Sequence, residues 1–553
     1  MSVEKLIVDH METWTSALQT RSTAGRGSSG KIDLYGIKKL RELILELAVR
    51  GKLVPQDPND EPASDLLKRI AAEKAELVKQ GKIKKQKPLP EISEEEKPFE
   101  LPEGWEWVHL PDIYCSISES SRKIKSSEIL PEGKYPVIEQ SQEFISGYCN
   151  NECLLIKLNN PVIVFGDHTR NIKFIDFDFV VGADGVKILS PILICERFFF
   201  WLLRSFKLDV RGYARHFKVL NSCLFALPPI AEQERIVEKV SSLMSLCDQL
   251  EQQSLTSLDA HQQLVETLLG TLTDSQNTAE LAENWARISE HFDTLFTTEA
   301  SVDALKQTIL QLAVMGKLVP QDPNDEPASE LLKRIAQEKA QLVKEGKIKK
   351  QKPLPPISDE EKPFELPEGW EWCRIGNIVN IKSELVSPKD YLNLYQVAPD
   401  IIEKGTGRVI SKRTVKESGV KGPNSRFYKG QIVYSKIRPS LSKVFLAEYN
   451  GLCSADMYPL DCYINPNYLL KYILSIPFLM QVKKAENRIK MPKLNSDSFY
   501  NIIVAIPPYN EQQAIFDKIN SIEAVCNGLI SYIGIYHKTQ LHLADTLTDA
   551  AIN

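Results

Sequence analysis

GKLVPQDPNDEPASDLLKRIAAEKAELVKQGKIKKQKPLPEISEEEKPFELPEGWEW, residues 51–107, returns 265 positions later as residues 316–372 with six changes. The changes are Asp65/Glu330, Ala72/Gln337, Glu76/Gln341, Gln80/Glu345, Glu91/Pro356 and Glu94/Asp359. The segments after the two copies, about 108–226 and 373–505, show no evident likeness. A chain that keeps its joints and varies what hangs from them presents two different readers on one symmetric frame.

A second repeat closes each unique segment. Leu227-Pro228-Pro229-Ile230-Ala231-Glu232-Gln233 precedes ERIVEKVSSLMSLCDQLEQQ, and Ile506-Pro507-Pro508-Tyr509-Asn510-Glu511-Gln512 precedes QAIFDKINSIEAVCNGLISY. The offset is now 279, so the second unique segment is 14 residues longer, and Cys247 still matches Cys526. Ile236, Val240, Leu243, Leu246 and Leu250 advance by threes and fours, as do Ile515, Ile519, Ile522, Val525 and Leu529. That spacing is the seam of a coiled coil. The prolines suit a strand-to-helix junction, since each fixes its own φ and pushes its predecessor out of the α region. The two long helices are expected to bury their seams against each other.

Inside each 57-residue block a helix opens at Asp60-Glu61-Pro62 and stops at Gly81. Lys82, Lys84, Lys85, Lys87, Pro88 and Pro90 follow, with Lys347 to Pro355 as the copy. A solvated face and contact with phosphate or a partner are both open for these lysines. Apolar helices over Leu40–Val49 and Leu305–Val314 lead into each GKLVP. In the unique segments, PVIVF (161–165) and QIVYS (431–435) read as equivalent strands, with Ala183-Asp184 and Ala455-Asp456 after them. ICERFFFWLLRSF and NYLLKYILSI read as equivalent helices. Basic turns come next, carrying Arg211, Arg215, His216 and Lys218 in one and Lys483, Lys484, Arg488, Lys490 and Lys493 in the other. The expected class is α/β, two similar domains joined by duplicated long helices in an antiparallel coiled coil with pseudo-two-fold symmetry. The expected boundaries are 1–107, 108–229, 230–372, 373–508 and 509–553.

Bulk properties bound the chemistry. At 553 residues the length suggests three or four modules, and 43% hydrophobic with 25% charged residues is ordinary for a globular protein. MSVEKLIVDHMETW carries no secretory signal, and no apolar run approaches the ~20 residues that span a bilayer. Phe198–Leu203, flanked by Arg197 and Arg204, is read as a buried helix. Ten cysteines show no disulfide spacing, and Cys149 and Cys153 lack the further ligands that make up the about four of a zinc site. They are read as reduced thiols of a cytoplasmic protein. The net charge of −5 is uneven: residues 108–226 hold 14 Lys+Arg against 13 Asp+Glu, residues 373–505 hold 20 against 10, and the remainder is net −16. Acidic joints with one basic module fit nucleic-acid contact confined to particular modules.

Three motifs look like chemistry and are read otherwise. Gly25-Arg26-Gly27-Ser28-Ser29-Gly30-Lys31 fits GxxxxGK, but Ile32 stands where Ser or Thr would hold Mg²⁺, and no apolar strand precedes it. It reads as a Gly/Ser linker. Pro507-Pro508-Tyr509 resembles the PPY of amino-methyltransferases, yet Ile506 occupies the slot that needs Asn or Asp, and no glycine-rich loop is placed for a methyl donor. It reads as a joint. Of eight histidines only His168 (GDHTR) and His216 (ARHFK) lie in basic, polar surroundings. A hydrogen-bonding role at a DNA surface suits them better than catalysis. No catalytic, cofactor or metal residues are expected.

Two variable domains, each ended by a PPxxEQ-type motif (LPPIAEQ and IPPYNEQ) and separated by duplicated helices, resemble the specificity subunit of type I restriction–modification systems. The resemblance covers the whole chain. It implies two target recognition domains that each read half of a bipartite, asymmetric site in double-stranded DNA, with the helices as a ruler. It also implies two partner modification subunits that carry adenine-N6 methylation and S-adenosylmethionine, and restriction subunits that carry ATP, Mg²⁺ and cleavage. The chain itself would be a non-catalytic, cytoplasmic subunit without cofactor. Candidate DNA contacts are Arg122, Lys123, His168, Arg170, Arg215 and Lys218 in the first domain. In the second they are Lys412, Arg413, Arg426, Lys436, Arg438, Arg488 and Lys490. Candidate partner and helix joints are Pro228, Pro229, Glu232, Gln233, Pro507, Pro508, Glu511 and Gln512. A protein-only scaffold and a nucleotide-dependent enzyme built on Gly25–Lys31 are the competing readings.

Overall fold

The computed structural model describes residues 3–20, 32–86, 89–117, 122–182, 185–206, 208, 215–486 and 492–552. Gly25–Lys31, Lys87, Pro88, Ala183, Asp184, Arg211, Arg488 and Lys490 lie outside them. Two compact units result: Met1–Ser257 with Tyr536–Asn553, and Leu258–Ile535. Among the described residues no helix is long and apolar enough to cross a membrane.

Each unit is assembled in the same order. An apolar helix (Tyr35–Val49; Glu299–Val314) runs into a glycine, then an amphipathic helix (Ala63–Lys79; Ala328–Lys344). Gly51 and Gly316 are needed there: φ is +66° and +70°, and a Cβ would lie 2.4 Å from Pro102 and Pro367. The WEW end of each repeat forms a strand (Glu106–His109; Glu371–Arg374). It pairs antiparallel with the strand before the prolines (Leu224–Leu227; Ile503–Ile506), Trp107 opposite Ala226 and Trp372 opposite Ala505. Each unique segment is therefore a closed insertion, clamped at its base by one hairpin-like pair.

Both insertions contain the same four-stranded antiparallel sheet. In the first the order is Tyr114–Ile117, Val186–Pro191, Val162–Gly166, Ile172–Ile175; in the second it is Val379–Ile381, Met457–Cys462, Ile432–Ser435, Val444–Leu446. PVIVF and QIVYS thus occupy the same internal place, and their strand residues are fully buried, as runs apolar on both faces require. The helices Glu196–Ser205 and Pro466–Ile473 come after the matching strand in each. FFFWLL is a buried helix as expected, with Phe198, Phe199, Leu202 and Leu203 inside.

The second sheets differ. Val180–Gly182 has parallel neighbours on both sides, Lys123–Ile124 and Tyr135–Ile138. Its counterpart Gly451–Ser454 keeps a parallel neighbour, Tyr395–Val397, but takes an antiparallel one, Asn424–Phe427. The domains share one sheet and diverge in the other.

Two residue-level expectations are corrected. Lys483 and Lys484 sit on a helix, Ile476–Ala485, and Lys218 on a short one, Phe217–Asn221, rather than in a turn. Pro477 at the start of the first and the buried Phe478 and Val482 make it. The seams are also mis-phased by one residue: Val525 is 65% exposed and Leu246 only half-buried, while Cys526 and Cys247 are buried. Two successive steps of three fall about 120° short of two turns at 3.6 residues per turn, so a three must be followed by a four.

The long helices (Ile230–Asp274; Tyr509–Ile552) each begin in one unit and end in the other, which makes their order antiparallel. Within each unit the apolar helix is a third member of the seam. Arg41 forks to Asp248 and Glu251 at 2.6 Å each, and its counterpart Lys306 donates to Asn527 at 2.9 Å. Lys52 caps the carbonyl of Ile552 at 2.6 Å, and its counterpart Lys317 caps those of Thr273 and Ser275 at 2.9 and 2.8 Å. In the second unit Val265, Leu269 and Leu272 of one long helix share a core with Cys526 and Ile533 of the other, and with Val302, Leu305, Ile309 and Leu312.

Candidate nucleic-acid interface and its helix joints

The duplicated joint is a buried polar lock. Glu232 and Glu511 are 1% and 4% exposed, and each begins a long helix. Trp105 Nε1 donates to Glu232 Oε2 and Trp370 Nε1 to Glu511 Oε2, both at 2.9 Å. Gln56 and Gln321 donate to the other carboxylate oxygen at 3.1 and 3.2 Å. Burial raises the pKa of both glutamates, opposed by these donors. Gln233 and Gln512, fully buried, bond the Pro228 and Pro507 carbonyls through Nε2 at 3.0 Å. Their Oε1 accepts from the backbone N–H of Cys195 and Asn465, the caps of the domain helices. The prolines thus bend the chain, Glu ties it to the repeat and Gln ties it to the unique domain. All eight joint residues take part in or flank this lock.

A second duplicated anchor links the amphipathic helix to the unique domain. Lys74 Nζ donates to the Pro111 carbonyl at 2.6 Å, and Lys339 Nζ to Gly376 and Val379 at 2.6 and 3.0 Å. Burial lowers both ammonium pKa values, that of Lys339 to about 8. Gln86 and Gln351 accept from the same lysines, which pins the middle of each lysine-rich loop. Lys84, Lys85, Lys349 and Lys350 are exposed on it. Past the repeat the copies part: Arg374, 6% exposed, clasps Glu361 with two nitrogens at 2.7 and 2.9 Å and three backbone carbonyls, where the first copy has His109 on the Pro90 carbonyl.

The candidate DNA contacts fall into two groups. In the first domain the turn Asp167–Arg170 comes after the central strand. Asp167, buried, accepts from the His216 N–H and holds the Phe217 N–H with its carboxylate, so GDHTR and ARHFK meet; His216 is itself only 3% exposed, which corrects its expected place at a DNA surface. Arg215 and Lys218 are exposed beside it, His168 and Arg170 are half-buried, and Arg170 donates to the Leu208 carbonyl at 2.7 Å. Arg122 and Lys123 are exposed at the other sheet. In the second domain Lys436 donates to the Ala455 carbonyl at 2.7 Å and Arg438 is exposed two residues on. Arg413 is held bidentately by Asp400 at 2.9 and 3.0 Å and by Gln396. Arg426 lies over the rings of Tyr391 and Tyr428, near Glu384. Lys412 is exposed and lies over Tyr449.

Amides are expected beside these cations, but sequence reasoning names none of them. Gln140 orients the first turn, its side chain accepting from the His168 N–H and its carbonyl from Asn171. Gln396 and Asn424, both buried and bonded to each other, line a cleft of about 350 Å³ with Arg413 and Ser454 in the second domain. Isolated amides carry no spacing signal. Among the described residues no group of His, Cys, Asp and Glu could hold a metal.

The family profile described as "Type I restriction modification DNA specificity domain" matches residues 102–260 and 367–533. The chain is 51% identical to the type I restriction enzyme EcoAI specificity subunit of Escherichia coli, over all of both chains. It is 49% identical to the EcoEI specificity subunit of the same organism, again over all of both. The crystal structure of the HsdS subunit from Thermoanaerobacter tengcongensis aligns over 83% of this chain and 98% of that one at 15% identity, with a TM-score of 0.37.

Proposed function

Because the chain belongs to the type I restriction–modification specificity subunit family and determines a DNA recognition sequence, we propose how it divides that task. Each unique domain reads one half of a bipartite, asymmetric site in double-stranded DNA, and the long helices fix the unread gap. The specificity subunit is the non-catalytic member of its complex. Methylation of adenine N6 with S-adenosylmethionine, and the ATP- and Mg²⁺-dependent steps, belong to partner subunits in the cytoplasm.

The observation that carries this reading is the pair of unlike domains on a duplicated lock. Two half-sites need two surfaces, which accounts for second sheets that differ in strand direction. Two identical modification subunits need two equivalent docking surfaces, which accounts for repeats that differ at six positions in 57. Phosphate contacts position such a protein, and base contacts specify. The exposed cations of each domain are the proposed contacts, with arginine suited to guanine and the amides to adenine.

The test is a methylome. The chain is expressed with its modification subunit in a methylation-free host, and N6-methyladenine is mapped by long-read sequencing. A split motif with a fixed gap is expected, and exchange of residues 108–226 for another such domain changes one half only. Assembled subunits that methylate nothing, or an exchange that alters both halves, would overturn the proposal.

A further inference from the structure

Among the described residues only four other than glycine have a left-handed backbone: Arg170, Leu193, Arg438 and Ser442. Arg170 has φ +63° and Arg438 has φ +44°. A bulky L-residue adopts this conformation at a cost, and such residues concentrate at functional sites.

These two arginines follow the same strand in two domains of unlike sequence, at positions one residue apart. Asp167 and Lys436 are each the first residue past the central strand. Each donates its N–H to the residue just before the neighbouring strand, Asp167 to Gly185 at 2.7 Å and Lys436 to Asp456 at 3.0 Å. Each accepts from the segment that opens a short helix, His216 N–H at 2.9 Å and Leu494 N–H at 2.8 Å. Arg170 stands three residues after the first and Arg438 two after the second. Arg438 is held further by its own N–H on the Pro492 carbonyl at 2.9 Å, and Arg170 by its N–H on Gly166 at 2.8 Å. Backbone bonds that do not depend on side-chain identity therefore hold the post-strand turn alike in both domains, and each turn carries a left-handed arginine.

A feature that two readers of different half-sites share cannot be the source of their difference. The geometry points to Arg170 and Arg438 as a matched pair of phosphate anchors that set each domain on the DNA backbone without reading sequence. This deepens the two-reader proposal and rests on it. Sequence discrimination is left to groups the domains do not share, such as the His168–Gln140 and the Gln396–Asn424 sets. The guanidinium of Arg170 spends one N–H on Leu208, and four of its five donors remain for a phosphate.

The test uses the full chain assembled with its modification subunits, and duplexes with and without the recognition site. Arg170→Asn and Arg438→Asn keep a residue that tolerates the left-handed region. Each should weaken binding to both duplexes by a similar factor, about tenfold at 0.1 M salt, and lower the salt slope by about 0.9. The methylated motif stays unchanged, and Arg→Lys recovers part of the affinity. A motif relaxed at one position would make the arginine a base reader. An unchanged affinity and slope would make it purely structural. Either result overturns the anchor while wild-type site-specific binding stands; absence of that binding would instead sink the two-reader proposal.

Discussion

The indole of Trp105 and the carboxylate of Glu232 meet at 2.9 Å across 127 residues, and Trp370 repeats the bond to Glu511 across 141. The extra 14 residues are absorbed wholly within the second unique domain. The lock is thus indifferent to the length of what is inserted.

Trp105→Phe and Trp370→Phe each remove one donor and leave a buried carboxylate with the glutamine alone. Each should cost about 1–3 kcal/mol, and the two costs should agree closely because their surroundings are duplicated. Native-state hydrogen exchange at the start of each long helix reads the loss, and Trp105→Phe with Glu232→Gln gives the coupling. A several-fold difference between the two joints would show that the lock is not equivalent.

Legibility in the sequence tracked repetition. Helix order, the PPxxEQ joints and the equivalence of PVIVF with QIVYS could be read because duplication and period survive as sequence. The seam residue was misplaced by one because Leu246 and Cys247, like Val525 and Cys526, are adjacent and all apolar. Hydrophobicity alone does not phase such a helix; the third helix, through Arg41 and Lys306, does. The left-handed arginines left no trace, since nothing in GDHTR or KIRPS demands a positive φ. Gln140, Gln396 and Asn424 matter through long-range pairing, which a linear pattern does not display.

Acid should loosen one arm more than the other. Hydrogen bonds from Arg374 hold the Glu361 carboxyl below its ordinary range, with the Ser358 backbone assisting. A carboxylate whose folded pKa is lowered contributes stability that is present above its unfolded value and lost as pH falls through the folded one. Below about pH 4.3 the proline-rich segment 355–361 should therefore loosen progressively. In residues 90–96 the Ser93 backbone and hydroxyl hold the Glu96 carboxyl low without an arginine, and His109 makes one bond to a carbonyl, so the change there should be smaller. Exchange rates at pH 7 and at acid pH in both segments measure this. Arg374→Ala should produce the loosening at neutral pH, at a cost of about 2–4 kcal/mol, because a carboxylate and three carbonyls lose their donor. Equal responses in the two arms would dismiss the asymmetry.

The gap between half-sites should follow helix length. An α-helix rises 1.5 Å per residue, and DNA about 3.4 Å per base pair. Seven residues added to both long helices, after Ser257 and after Ile535 where the two compact units divide, add about 10 Å and leave each seam within about 20° of its phase. The methylated motif should then keep both half-sites and gain about three base pairs of gap. Insertion into one helix alone gives partners of unequal length, so Lys52 and Lys317 can no longer both reach the helix ends they cap. That variant should lose methylation rather than lengthen the gap. Mapping N6-methyladenine for the single and double insertions separates these outcomes, and an unchanged gap in the double insertion would mean that something other than the long helices sets the spacing.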